Sequence, residues 1–248
     1  MPSLVLSKKP TGSVLAVIQS GRNSGMLVCV NDEPGRSRLD VHDGYLTFEP
    51  PHDPKQRFIL ATMAASGSGK STQLALIAER YHTLYPRRPI VLMSRLDEDE
   101  TLDQLSYIRR IRVDSLLESP FDLKELQDCL MIIDDVEGLP IQLEKAVQQV
   151  LELVLTQGRH TNTSLLYSAH NLTSGNKTRT LLNEAHAYLV FPHATSMMQL
   201  KYLLERYAGL DRKEISAIRK IPSRWVCVTR RYPTAIFGEH EAYLPHSE

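Results

Sequence analysis

Residues 57–72 read RFILATMAASGSGKST, and these residue types in this order could hold the phosphates of a nucleotide. An apolar run, Phe58-Ile59-Leu60-Ala61, enters a loop of small residues, Ala65-Ser66-Gly67-Ser68-Gly69, that ends in Lys70-Ser71-Thr72. Successive backbone N–H groups of such a loop curl around phosphate oxygens, and a helix beginning at its end adds its partial positive charge. Lys70 would reach the β- and γ-phosphates, while the Ser71 hydroxyl would ligate Mg²⁺. One position departs from the strict G-x-x-x-x-G-K-[ST] spacing, because Ala64 stands where the first Gly is usual. The turn tolerates that methyl group provided φ stays negative there. The competing explanation, an ordinary Gly/Ser loop before a helix, does not account for Gly67, Gly69, Lys70 and Ser71 standing together in register.

Four further positions carry candidate chemistry. Asp134 ends the apolar run Cys129-Leu130-Met131-Ile132-Ile133 some sixty residues after the loop, where a carboxylate can hold Mg²⁺ through water beside Ser71. Asp135 follows it and could orient and partly deprotonate an attacking water; Glu137, one methylene longer, is its rival, and simple capping of a turn is the alternative for Asp135. His170 and Asn171 end the run SLLYSA, where a polar side chain could sense a γ-phosphate by hydrogen bonding, or merely open a loop. Arg159 closes a helical pattern; it either complements the helix dipole or serves as an arginine finger across a subunit interface. Arg179 is the second finger candidate.

The elements that must position these residues follow from periodicity. After the loop, Leu74, Ile77, Tyr81 and Leu84 recur at helical spacing. Pro89–Met93, Cys129–Ile133, Ser164–Ala169 and Ala187–Phe191 read as buried strands, and Tyr107–Asp114 alternates apolar and basic residues as an edge strand would. A stripe from Leu143 to Leu155 reads as a helix stopped by Gly158. The cluster Asp97-Glu98-Asp99-Glu100 with Asp103 suits the positive end of a helix dipole, so a helix is expected to open there. Two helices, about 195–208 and 211–220, and two strands, about 224–231 and 234–238, complete the chain. Strands alternating with helices predict an α/β fold with a mostly parallel sheet. Residues 1–56 differ: short apolar runs between Gly, Asn, Asp and Pro predict a small β-rich lobe, which Pro50-Pro51 and Pro54 link to a domain over 57–248.

Composition narrows the classes. At 248 residues, with 42% hydrophobic and 23% charged residues, the chain reads as an ordinary globular protein. No apolar run approaches the ~20 residues a membrane-spanning helix needs, and the N-terminus has too short an apolar stretch for a secretory signal. Three scattered cysteines, Cys29, Cys129 and Cys227, suit buried positions in a reducing compartment better than bridges or zinc. The 29 basic residues balance 29 acidic ones, which argues against a surface that coats duplex DNA broadly. Residues 201–236 nevertheless hold nine basic side chains against three acidic ones.

Taken together, the chain resembles the genome-packaging ATPases of large eukaryotic DNA viruses, in the FtsK–HerA superfamily of DNA-pumping motors. The resemblance covers about residues 57–245 and rests on the phosphate loop, Ser94-Arg95-Leu96-Asp97-Glu98-Asp99, Ile132-Ile133-Asp134-Asp135, Gln157-Gly158-Arg159-His160 with His170-Asn171, and the tail from Leu181 to Pro233. It implies a P-loop core of RecA-like type, ATP with Mg²⁺, Arg159 at the inter-subunit finger position, and His170 where Gln is frequent. It also implies a ring of subunits, hexamer or pentamer, around double-stranded DNA, with capsid or portal-vertex proteins as partners. The setting would be the infected host cell, in its cytoplasm or viral factory, or the virion. Two other classes fit the loop alone: a kinase of nucleosides or small metabolites, with Arg109-Arg110-Ile111-Arg112 as a lid, and a nucleotide-gated assembly scaffold without turnover.

Overall fold

The computed structural model describes residues 2–118, 122–172 and 176–245. The chain divides into two compact units, Pro54–Ala185 in one and Met1–Asp53 with His186–Glu248 in the other. In the latter, β1 (Ser3–Ser7), β2 (Ser13–Gln19), β3 (Leu27–Asn31), β4 (Arg38–Asp40) and β5 (Tyr45–Phe48) come first. Four of them form an antiparallel sheet in the order β1-β3-β2-β5. Val17, Leu27 and Cys29 pack on one another, with Val5 and Val14 against them.

The unit Pro54–Ala185 carries the parallel sheet expected from the sequence. Its strands are β6 (Ile59–Met63), β7 (Ile90–Ser94), β8 (Ile108–Arg112), β9 (Leu130–Asp134) and β10 (Ser164–Ala169). Their order is β6-β10-β9-β7-β8, parallel throughout. Strands covered on both faces need continuous apolar runs, and every residue of β6, β7, β9 and β10 is buried. Among the described residues β8 pairs only with β7, and it leaves Arg109 and Arg112 exposed, as its alternating sequence predicts. Helices α1 (Lys70–Leu84), α2 (Ser115–Glu118), α3 (Ile141–Gln157) and α4 (Asn176–Glu184) accompany it. α3 turns Val147, Val150, Leu151, Val154 and Leu155 inward, the stripe read from the sequence.

One expectation fails here. The acidic cluster at 97–103 opens no α-helix, only a single 3₁₀ turn at Leu102–Gln104. Asp99 Oδ1 accepts from the N–H groups of Thr101 and Leu102, Asp103 Oδ2 accepts from Asp99 N, and Arg110 pairs with Asp103 at 2.6 Å. The carboxylates are spent on local backbone donors and one arginine, so they stabilise a bent loop rather than a helix.

The chain then adds β11 (Ala187–Val190), α5 (Met197–Tyr207), α6 (Arg212–Ile218), β12 (Val226–Thr229), β13 (Ile236–Phe237) and β14 (Glu241–Tyr243). β11, β12, β13, β14 and β4 pair antiparallel in that order. α6 starts with a capping box in which Asp211 and Glu214 each accept the other's backbone N–H. All three cysteines are buried and free, and burial pushes the Cys129 thiol up to about 12. No helix among the described residues is long and apolar enough to cross a membrane.

Leu166 is fully buried at the middle of β10, the strand flanked by β6 and β9. Leu166→Ala should lower stability by about 2–5 kcal/mol, read as a fall in the urea midpoint at unchanged slope.

Candidate functional site

The loop after β6 is shaped by its backbone. Gly67 and Gly69 take φ of 72° and 102°, which residues with a Cβ rarely adopt. Ala64 is not among the residues with positive φ, so its methyl group meets the condition set by the sequence. Gly69 is the N-cap of α1; no side chain caps this end and no acidic residue lies in its first turn. Helix N-termini leave N–H groups without intrahelical partners. Here they remain available to an anion, whereas α5 and α6 satisfy theirs with Ser196 and Asp211.

Lys70 begins α1 and is 6% exposed. Its Nζ donates to Ala64 O at 3.2 Å and Ala65 O at 3.5 Å, and lies 3.4 Å from His170 Nδ1 and 4.0 Å from Asp135 Oδ1. His170 Nε2 lies 3.2 Å from the same Asp135 oxygen. Glu137 reaches back across the strand ends, its Oε1 accepting from His170 N at 2.6 Å. Arg95 Nη1 donates to Glu137 O at 3.0 Å and so braces the loop after β9. Thus β6, β9 and β10, at their C-terminal ends, bring Lys70, Asp135, Glu137 and His170 into one cluster. Asp135 holds φ 47°, a left-handed conformation that Asp tolerates better than most residues and that concentrates at functional sites.

Asp134 is 2% exposed, and its Oδ1 has no hydrogen-bond partner. Burial pushes its carboxyl up to about 6; the nearby Ser168 hydroxyl and the Lys70 ammonium oppose the shift, and the Asp135 charge adds to it. Thr62 Oγ1, Gln73 Oε1 and Glu137 Oε2 are also buried without partners. Buried polar atoms ordinarily have partners, so this concentration fits a polar ligand or ion. An ion beside Asp134 and Ser71 would satisfy the carboxylate oxygen. Ligand atoms of Asp135, Glu137 and His170 also lie within 4.8 Å of one another, but the Lys70 ammonium 4.0 Å from Asp135 opposes a cation there.

The two arginine candidates are not in this cluster. Arg159 is exposed just past α3, whose 17 residues span about 25 Å from the end near Glu137. Arg179 is exposed in α4. The neighbouring Thr178 donates to Leu172 O at 2.6 Å and lines a cavity of ≈ 150 Å³ with Glu137 and Asn171. Sequence reasoning passed over Thr62 and Ser168. Their signal was a hydroxyl one residue from the end of an apolar strand, and strand register puts Ser168 opposite both Thr62 and Asp134.

No family model matches the chain. Over 232 residues, 92% of this chain and 93% of the other, it is 33% identical to the uncharacterised protein V3 of Sputnik virophage. The DNA-packaging ATPase B204 of Sulfolobus turreted icosahedral virus matches with a TM-score of 0.50 at 12% identity, over 76% of this chain and 97% of B204. The pCW3 conjugation coupling protein TcpA, solved with ATPγS, gives 0.51 at 12% identity, over 92% and 77%. At such identities the likeness is one of fold, and it is the fold that the resemblance to packaging ATPases implied.

A carboxyl whose pKa rises on folding favours its neutral form in the folded state, so ionisation destabilises the fold progressively as pH climbs from 3.8 through about 6. Asp134→Asn should therefore raise the nucleotide-free stability by up to about 3 kcal/mol at pH 8 and change it little at pH 3.5, measured by urea unfolding at both.

Proposed function

The chain belongs to the family of Sputnik virophage V3, and we propose that it is an ATPase that drives double-stranded DNA into a preformed capsid. The carrying observation is the uncapped N-terminus of α1, with buried Lys70 as its first residue. Backbone N–H groups from Ala65 through Thr72 bind the phosphates, with Lys70 on the β- and γ-phosphates. Ser71 and Asp134 hold Mg²⁺, whose charge supplies electrophilic stabilisation when bound; the unpartnered Asp134 oxygen fits that role. Asp135 orients the attacking water and accepts its proton, with Glu137 as the alternative base. His170, between Lys70 and Asp135, reports the γ-phosphate.

Arg159 acts in a neighbour's site. Its position at the far end of α3 keeps it from its own Lys70, which suits a finger supplied in trans from a ring of five or six subunits. DNA is gripped through backbone phosphates, since packaging accepts any sequence. Arg212, Lys213, Arg219, Lys220 and Arg224 are exposed and available for such contacts. The parallel-sheet core with its following segment, 57–248, carries this chemistry, and the β-rich residues 1–56 serve as an accessory lobe that docks capsid or portal-vertex proteins. The protein works in the infected cell or its virions.

Steady-state ATP hydrolysis measured against protein concentration, with and without linear duplex DNA, tests this. The rate per subunit should rise with both. ADP formed only with a small acceptor would instead identify a kinase, and tight ATP binding without turnover a scaffold. Arg159→Ala should bind ATP normally and lose about 10³-fold or more in turnover. Mixing it with excess Lys70→Ala protein should restore hydrolysis, because each variant supplies what the other lacks.

A further inference from the structure

The turn that carries Arg159 is more firmly built than an exposed loop needs to be. Gly158 N donates to Val154 O, His160 N to Gln157 O, and Thr163 N to Gly158 O at 2.8 Å. The hydroxyls of Thr161 and Thr163 lie 2.6 Å apart, and Thr163 Oγ1 donates to Leu126 O. Asn162, at φ 53°, donates to Pro54 O and to Asp128 Oδ1. Arg159 itself makes no hydrogen bond or ion pair among the described residues, so a rigid base presents an uncommitted guanidinium.

Under that base lies Arg57, half-buried in the segment just before β6. Its Nη1 donates to Val154 O at 2.8 Å and its Nη2 to Leu155 O at 3.0 Å, so one guanidinium ties two carbonyls of the last turn of α3. Gly158 lies directly over it: a Cβ there would sit 2.6 Å from Arg57 Nη1 and collide with Val154 O. With φ −59° at Gly158, the requirement is space, not conformation. Arg57 lies near the Glu184 carboxylate and within electrostatic range of Arg159.

We propose that Arg57 is a positioning residue for Arg159: its fork on the α3 carbonyls and its contact with Gly158 aim the Arg159 guanidinium outward toward the nucleotide of an adjacent subunit. This rests on the finger reading above. Lys cannot replace it fully, because a single ammonium does not present the planar fork that spans two carbonyls.

A merely structural Arg57 and a positioning Arg57 separate in mixed assemblies. Arg57→Gln should bind a fluorescent ATP analogue as the wild type does and lose about tenfold or more in turnover. Excess Lys70→Ala protein should restore its turnover, since the intact neighbour supplies a well-aimed Arg159 to the undamaged site. Arg57→Lys should fall between the two, and it takes over the test should the Gln variant fail to fold. Adding Arg57→Gln to Arg159→Ala should cost nothing further. Wild-type turnover in the Arg57 variants, or a loss that Lys70→Ala does not rescue while it rescues Arg159→Ala, would overturn the assignment. Wild-type turnover in Arg159→Ala would remove the finger reading itself, and this one with it.

Discussion

Lys70 is 6% exposed, and a charged side chain so largely removed from water needs compensation by dipoles or opposite charge. The carbonyls of Ala64 and Ala65 supply part of that compensation and Asp135 supplies part of the rest. The positive φ values at Gly67 and Gly69 bend the loop into the path that turns those carbonyls onto its own lysine. His170 Nδ1 lies 3.4 Å from the same charge. The lysine therefore couples three strand ends, and phosphates entering the loop would compete with those internal partners for it.

Parallel pairing determines what stands around that lysine. Register aligns Thr62, Ser168, Asp134 and Ser94 across β6, β10, β9 and β7. Four polar side chains thus form a row where each strand leaves its apolar stretch. In a sheet covered on both faces such groups are tolerated only at the strand ends, and several here remain without partners. Burial raises the Asp134 carboxyl among them to about 6. Stability is sacrificed at this place and recovered from the apolar residues a few positions earlier along the same strands, a common division between core and site.

α3 separates two kinds of arginine chemistry. Near its start, Arg95 braces the backbone of Glu137; at its end, Arg57 holds the carbonyls of Val154 and Leu155 and leaves Arg159 projecting. The 17 residues of α3 lie between them and put Arg159 at the opposite end of that helix from Glu137.

Much of this was readable from residue order. Continuous apolar runs announced the strands of the parallel sheet, the small-residue loop announced the helix N-terminus without a cap, and Asp134 stood at a strand end as its neighbours required. These are local matters, decided by side-chain polarity and by the few conformations open to Gly. The acidic residues at 97–103 were misread because the dipole rule does not tell whether Asp99 will accept from a helix or from its own loop. The pairing of β14 with β4, about two hundred residues apart, the contact of Arg57 with Gly158 and the closure of His170 on Lys70 have no signature in spacing. They depend on which surfaces the chain brings together once its core is buried, and hydrophobic burial is non-directional until packing and register choose the partners.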